Sequence, residues 1–242
     1  QRMETVVACA DAVIVNSAAT GRSLRPWIER SGRAIATHVA LLGTEDLTAP
    51  ATPATSAERP AFVCLGTIEP RKNHLLLLHL WRHLAETMPA PDVPRLVIVG
   101  RRGWENEQVV DLLERCPALK GHVEEINGCS DQRMATLLAG ARALVMPSFA
   151  EGFGMPVAEA LSLGVPVICS DLAALREVGG NTPDYLDPLD GPGWKAMILD
   201  HARSGPAHAA QEARLRQWHK PLWSEHMDIV EKAITGLRQP TA

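Results

Sequence analysis

The sequence has no paired-cysteine spacing, no excess of positive charge, no long apolar run and no GxGxxG. Each absence closes a class. None of the five cysteines forms a CxxC or pairs with histidine at metal-ligand intervals, which argues against a zinc site. Cys64 and Cys169 lie inside apolar, strand-like runs and read as buried free thiols, so a reducing, cytoplasmic setting is expected. A formal net charge of −4 argues against nucleic acid or membrane held by bulk charge. No apolar stretch approaches the ~20 residues of a membrane span. The opening QRMETVVACADAVIVNS lacks the basic-then-apolar order of a signal peptide. Without GxGxxG, a dinucleotide oxidoreductase is disfavoured.

What remains is a globular chain of 242 residues, 46% hydrophobic and 21% charged, with enough apolar mass for a core. Residues 1–45 hold a short strand pattern at 10–16, a helical stretch from Ala18 to Arg30 interrupted by Pro26, and a strand-like run at 34–42. Two strands are too few for a sheet of their own, so 1–45 reads as the remnant of an α/β domain. Residues 46–60, with APATPATSAERP, read as a linker.

From Ala61 the pattern becomes regular. Strands are expected at AFVCLGT (61–67), RLVIVG (95–100), HVEEIN (122–127), ALVMPS (143–148) and PVICS (166–170). Helices are expected at 75–85, 107–115, 131–139 and 156–163 between them. Apolar strands alternating with helices predict an α/β fold: a parallel sheet with helices on both faces, over 61–222. The tail from Gly193 reads as helices, with a final amphipathic one in 223–242 that is expected to pack back on the residues before the linker.

In such sheets ligands sit at the carboxyl ends of the strands. After the first strand comes GTIEPRKNH (66–74), with Arg71 and Lys72 near a helix start, where the dipole would prefer acids. An anion at that site would account for two cations there; the plain alternative is a solvated surface pair. After the second strand, Arg101 and Arg102 carry a weaker version of the same signal, and Trp104 reads as a cap on the sheet. After the fourth comes SFAEGFGMPVAEA (148–160). Here the N–H groups of Gly152, Phe153, Gly154 and Met155 precede or open a helix, with Pro156 in its first turn. Glu151 stands on the loop and Glu159 about one turn into the helix. The structural alternative makes them a loop residue and a helix-dipole acid. His79 and His83 have i, i+4 spacing but no evident third ligand, so no metal site is expected.

Taken together, GTIEPRKN, Glu151-GFGMPVA-Glu159 and SDLAALREVGG (170–180) resemble the nucleotide-sugar-binding half of GT-B-fold glycosyltransferases. More narrowly they resemble the retaining family with the E-x7-E motif, the group 1 glycosyl transferases, over residues 61 to about 235. The resemblance implies two Rossmann-like domains facing across a cleft, with the acceptor domain largely missing from this sequence. It implies Arg71 and Lys72 on the diphosphate, Glu159 on the ribose and Glu151 on the donor sugar. The Phe153–Gly154–Met155 backbone would lie near phosphate and sugar, and the base near Gly128 to Asp131, including Ser130 and Asp131. Where many relatives carry Gly-Arg, this sequence has Gly66-Thr67, so one phosphate-binding arginine is replaced.

The wording GTIEPRKNH is similar to bacterial mannosyltransferases of surface polysaccharides, which implies GDP-mannose as the favoured donor, with UDP-linked sugars as the other class. The expected acceptor is a saccharide or a lipid-linked saccharide. Any peripheral contact with the inner face of the membrane would run through the missing domain. No cofactor and no metal are expected, because Arg71, Lys72 and the loop N–H groups would hold the leaving diphosphate without one, with Glu151 as the third expected catalytic residue, on the donor sugar. A nucleotide-sugar epimerase of the same fold, and a binding module inactive by itself, are the competing expectations.

Overall fold

The computed structural model describes residues 2–45, 47 and 59–238. The expected linker at 46–60 lies mostly outside them. Apolar strands bury both faces, and helices supply the cover. In the first part, helix α1 (Arg2–Cys9) precedes β1 (Ala12–Val15), α2 (Ala18–Ser31) and β2 (Ala36–Val39), and β1 and β2 pair in parallel. Pro26 does not interrupt α2. Proline removes one i→i−4 bond, and Arg22, whose carbonyl is freed, is exposed, so water can serve it. Nothing in the sequence reading anticipated α1.

The main sheet contains β3 (Ala61–Leu65), β4 (Arg95–Val99), β5 (Val123–Ile126), β6 (Ala143–Met146), β7 (Val167–Ser170) and β8 (Asp184–Leu186). Its order is β5-β4-β3-β6-β7-β8, with every pair parallel. The first three strands run outward in one direction from β3, and the next three run outward in the other from β6. The crossovers contain α3 (His74–Thr87), α4 (Glu107–Arg115), α5 (Asp131–Ala139), α6 (Met155–Ser162) and α7 (Ala173–Gly179).

Side chains alternate across β3: Phe62 and Cys64 face one core, Val63 and Leu65 the other. The first core adds Leu77 and Trp81 of α3, Val109 of α4, and Trp194 and Ile198 of α8 (Gly191–Ala202). The second adds Leu138 of α5, Val157 and Leu161 of α6, and Leu175 and Val178 of α7. Both buried indoles keep a hydrogen bond: Trp81 Nε1 donates to Pro94 O and Trp194 Nε1 to Asp187 O, at 2.8 and 2.9 Å.

After α9 (Pro206–Leu215), α10 (Trp223–Arg238) returns to the small sheet. Thr44 N donates to Pro221 O at 3.0 Å, and His226 Nδ1 lies 3.2 and 3.1 Å from the carbonyls of Ala40 and Leu41. The final helix therefore packs on the residues before the linker, as expected. Among the described residues, no helix is long and apolar enough to cross a membrane.

Candidate functional site

The reversal of strand order between β3 and β6 fixes where a ligand can enter. The helices that follow them, α3 and α6, pack in different cores on the two faces of the sheet, and in such sheets the ligand crevice lies outside the two carboxyl ends. The loops lining it are 66–73 and 147–154, the two stretches singled out by the sequence.

The first loop stays tied to the sheet before it turns. Gly66 N donates to Val99 O at 3.0 Å and Ile68 N to Arg101 O at 2.9 Å. Gly66 has φ +133°, and a Cβ there would sit 3.2 Å from Lys72 Cε, so only glycine lets the lysine fold back over it. Thr67 is exposed, with its methyl toward Gly103. Arg71 and Lys72 occupy a separate 3-10 turn, Pro70–Lys72, closed by Asn73 at φ 54°, ahead of α3. Asn73 Nδ2 bonds Pro147 O at 3.2 Å and Pro188 O at 3.0 Å, and Phe149 N donates to Arg71 O at 2.7 Å. These bonds join the two loops.

Across that seam the charges meet. Lys72 Nζ lies 2.7 Å from Glu151 Oε1, and Arg71 Nη1 lies 3.2 Å from Glu151 Oε2 and 3.1 Å from Ala150 O. Arg71 Nε also pairs with Glu69 at 2.5 Å. The side chains of Lys72 and Glu151 are 10% and 7% exposed, whereas Arg71 is 47% exposed. Two cations and two carboxylates thus balance at the mouth of the crevice. Beneath them, burial pushes the Cys64 thiol up to about 12 and, with Lys72 adding to it, pushes His74 down to about 4. Cys64 is an inert thiol and His74 is neutral.

The second loop supplies donors. Among the described residues, the N–H groups of Glu151, Gly152, Phe153, Gly154 and Met155 have no protein acceptor. Gly154, at φ 100°, caps α6, and a Cβ there would fall 2.4 Å from Leu175 Cδ2. Phe153 is buried in the second core and can contribute only its backbone; half-buried Met155 packs against the same core. Glu159, on α6, has its carboxyl raised above the ordinary value, first by burial and then by the charges of Asp131 and Glu45. Ser130 caps α5, accepting from Arg133 N at 3.3 Å.

Three features differ from the sequence reading. Arg102 is committed to Glu125 and Glu114, at 2.7 and 2.6 Å, and is no free phosphate ligand. Trp104 does not cap the sheet; it is 62% exposed. Residues at the start of α2 also reach the second loop: Ser17 Oγ and Thr20 Oγ1 lie 2.5 and 3.1 Å from Gly152 O. No local signal could pair positions so far apart in sequence.

Comparison with known proteins adds an independent line. A sequence profile described as Glycosyl transferases group 1 matches residues 49–182. O-antigen chain mannosyltransferase B of Escherichia coli is 42% identical over 137 residues, covering 56% of this chain and 35% of that protein. O-antigen chain mannosyltransferase RfbU of Salmonella typhimurium is 35% identical over 106 residues, covering 43% of this chain and 29% of that one. The chain thus spans about a third of the length of these relatives. Among solved structures, a sucrose-phosphate synthase from Thermosynechococcus elongatus superposes with a TM-score of 0.74 at 22% identity, over 97% of this chain and 60% of that one. That likeness carries the fold.

Proposed function

The chain belongs to the group 1 glycosyl transferases, with a GT-B-type α/β fold, and on that premise we propose that it forms the nucleotide-sugar site of a hexosyltransferase. The favoured reaction moves mannose from GDP-mannose to a saccharide or lipid-linked acceptor. The observation that carries this reading is the pairing of Arg71 and Lys72 with Glu151, beside a run of unpaired N–H groups at the strand-order reversal. Similarity to O-antigen mannosyltransferases supports mannose as the sugar.

The chemistry follows from charge. Breaking the anomeric bond leaves negative charge on the departing diphosphate. Lys72, Arg71 and preorganised N–H groups at the start of α6 stabilise that charge as it develops. In the free chain Glu151 neutralises the cations. An arriving diphosphate competes for Lys72 and Arg71, which frees the Glu151 carboxylate to accept hydroxyl hydrogens from the sugar. Glu159 accepts from the ribose hydroxyls, beside Asp131. Gly66 and Thr67 border the phosphates, and Ser130 borders the base. No metal is required in this scheme, because the cations and N–H groups hold the leaving group. The buried free thiols Cys64 and Cys169 favour a reducing, cytoplasmic location.

Titration calorimetry with GDP, UDP and ADP tests the reading. Binding with GDP strongest is expected; absence of heat with all three refutes it. Release of free epimerised sugar nucleotide, in place of transfer, would assign the fold to an epimerase instead.

A further inference from the structure

The small sheet touches the donor loop through the turn between β1 and α2. Ser17 is fully buried, 2.5 Å from Gly152 O, and Thr20 Oγ1 lies 3.1 Å from the same oxygen. Each hydroxyl carries one hydrogen. Ser17 gives its hydrogen to Gly152 O, and Thr20 shares its own between Gly152 O and Asn16 Oδ1, 3.0 Å away. The carbonyl has two lone pairs and accepts both. A Cβ on residue 152 would lie 3.6 Å from Asn16 Nδ2 and 3.7 Å from Thr20 Oγ1, so the turn rests directly on this glycine.

We propose that Ser17 and Thr20 are positioning residues for donor binding, aiming the Phe153 N–H at the terminal phosphate of the nucleoside diphosphate. The inference rests on the donor-site reading above. Its geometric core is the planar trans peptide, in which C=O and N–H point in opposite directions. The Gly152–Phe153 peptide is trans, and its carbonyl is fixed toward α2. Its N–H must then point away from α2, and no protein group accepts it among the described residues. Phe153 itself is held in the core, so the peptide plane is pinned from both sides. A donor N–H aimed in advance costs no reorganisation when the anion arrives.

The α2 start is secured separately. Glu177 of α7 accepts from Ala18 N and Ala19 N at 2.6 and 2.8 Å, with Arg22 3.6 Å away. Glu177→Gln therefore loosens the same junction without touching Gly152, and it serves as the control for a merely structural role.

The test measures GDP and GMP affinity by calorimetry for the unmodified chain, Ser17→Ala, Thr20→Val and Glu177→Gln. Because Ser17 also caps α2, Thr20→Val, which keeps that cap, is read beside it. Ser17→Ala and Thr20→Val should each weaken GDP about three- to tenfold, a fraction of the worth of one hydrogen bond to a charged group, because the N–H is misaimed and not lost. GMP affinity should stay unchanged, and Glu177→Gln should leave the GDP-to-GMP ratio unchanged. Equal losses for GDP and GMP, no loss, or the same ratio change in Glu177→Gln overturns the positioning role while the donor reading stands. No GDP binding by the unmodified chain overturns the donor reading and the positioning role with it.

Discussion

Replacing Glu151 with glutamine should tighten GDP binding. This is the opposite of what loss of a substrate-contacting carboxylate normally does, and it follows from the pairing in the free chain. Glu151 lies 2.7 Å from Lys72 Nζ and 3.2 Å from Arg71 Nη1. Unit charges at the shorter separation attract by about 6 kcal/mol at an effective dielectric of ~20. Desolvating both partners offsets most of that, leaving about 1–2 kcal/mol that a diphosphate must overcome to take the cations. Glutamine keeps the shape but not the charge, so the Kd for GDP should fall about 5- to 30-fold. GDP-mannose should gain less, because the charged carboxylate is then missing from the sugar. Salt should matter little, since Lys72 and Glu151 are both buried. Lys72→Met is the counterpart: it leaves Glu151 with Arg71 alone, should cost about 1–3 kcal/mol in urea unfolding, and should weaken GDP. Calorimetry reads the affinities. If Glu151→Gln weakens GDP, the carboxylate does not compete with the diphosphate and the charge argument is wrong.

Glu159→Gln should raise the thermal midpoint at pH 7–8, with the gain vanishing toward ~pH 4. The carboxyl's raised folded pKa means its contribution to stability is complete below the unfolded value and is lost as pH rises through the folded one. The same change should weaken GDP, separating stability from function, and a thermal scan beside calorimetry checks both. Gly154→Ala should destabilise by more than ~1 kcal/mol in urea, from its positive φ and the Leu175 contact. Arg102→Met should leave GDP affinity unchanged, because its charge is already satisfied by Glu125 and Glu114; a loss of affinity would place it in the site after all.

The central strands β3, β4, β6 and β7 were legible because each is a mostly apolar run of four or five residues, nearly all buried, as with Ala143–Met146 and Val167–Ser170. The helices α4 and α5 fall on the residues their periodicity predicts. Short or polar elements escaped: β8 has three half-buried residues, and α7 spans seven between two loops. Both loops of the candidate site could be named from residue type and glycine placement. Their mutual arrangement could not. That Lys72 meets Glu151, or that Ser17 holds Gly152, depends on strand order, which no local pattern encodes.

The crevice depends on the central pairing of β3 with β6. Arg71 and Glu151 are 80 positions apart, and parallel strands cannot pair until the intervening crossovers are in place. One half of the sheet can form around β3, β4 and β5, and the other around β6, β7 and β8, without either holding a complete binding crevice. Neither half alone carries both loops, so the crevice exists only where β3 and β6 are paired. A nucleotide held at the proposed site would bind only the paired sheet, and at 100 times its Kd it would stabilise the native state by about 2.7 kcal/mol.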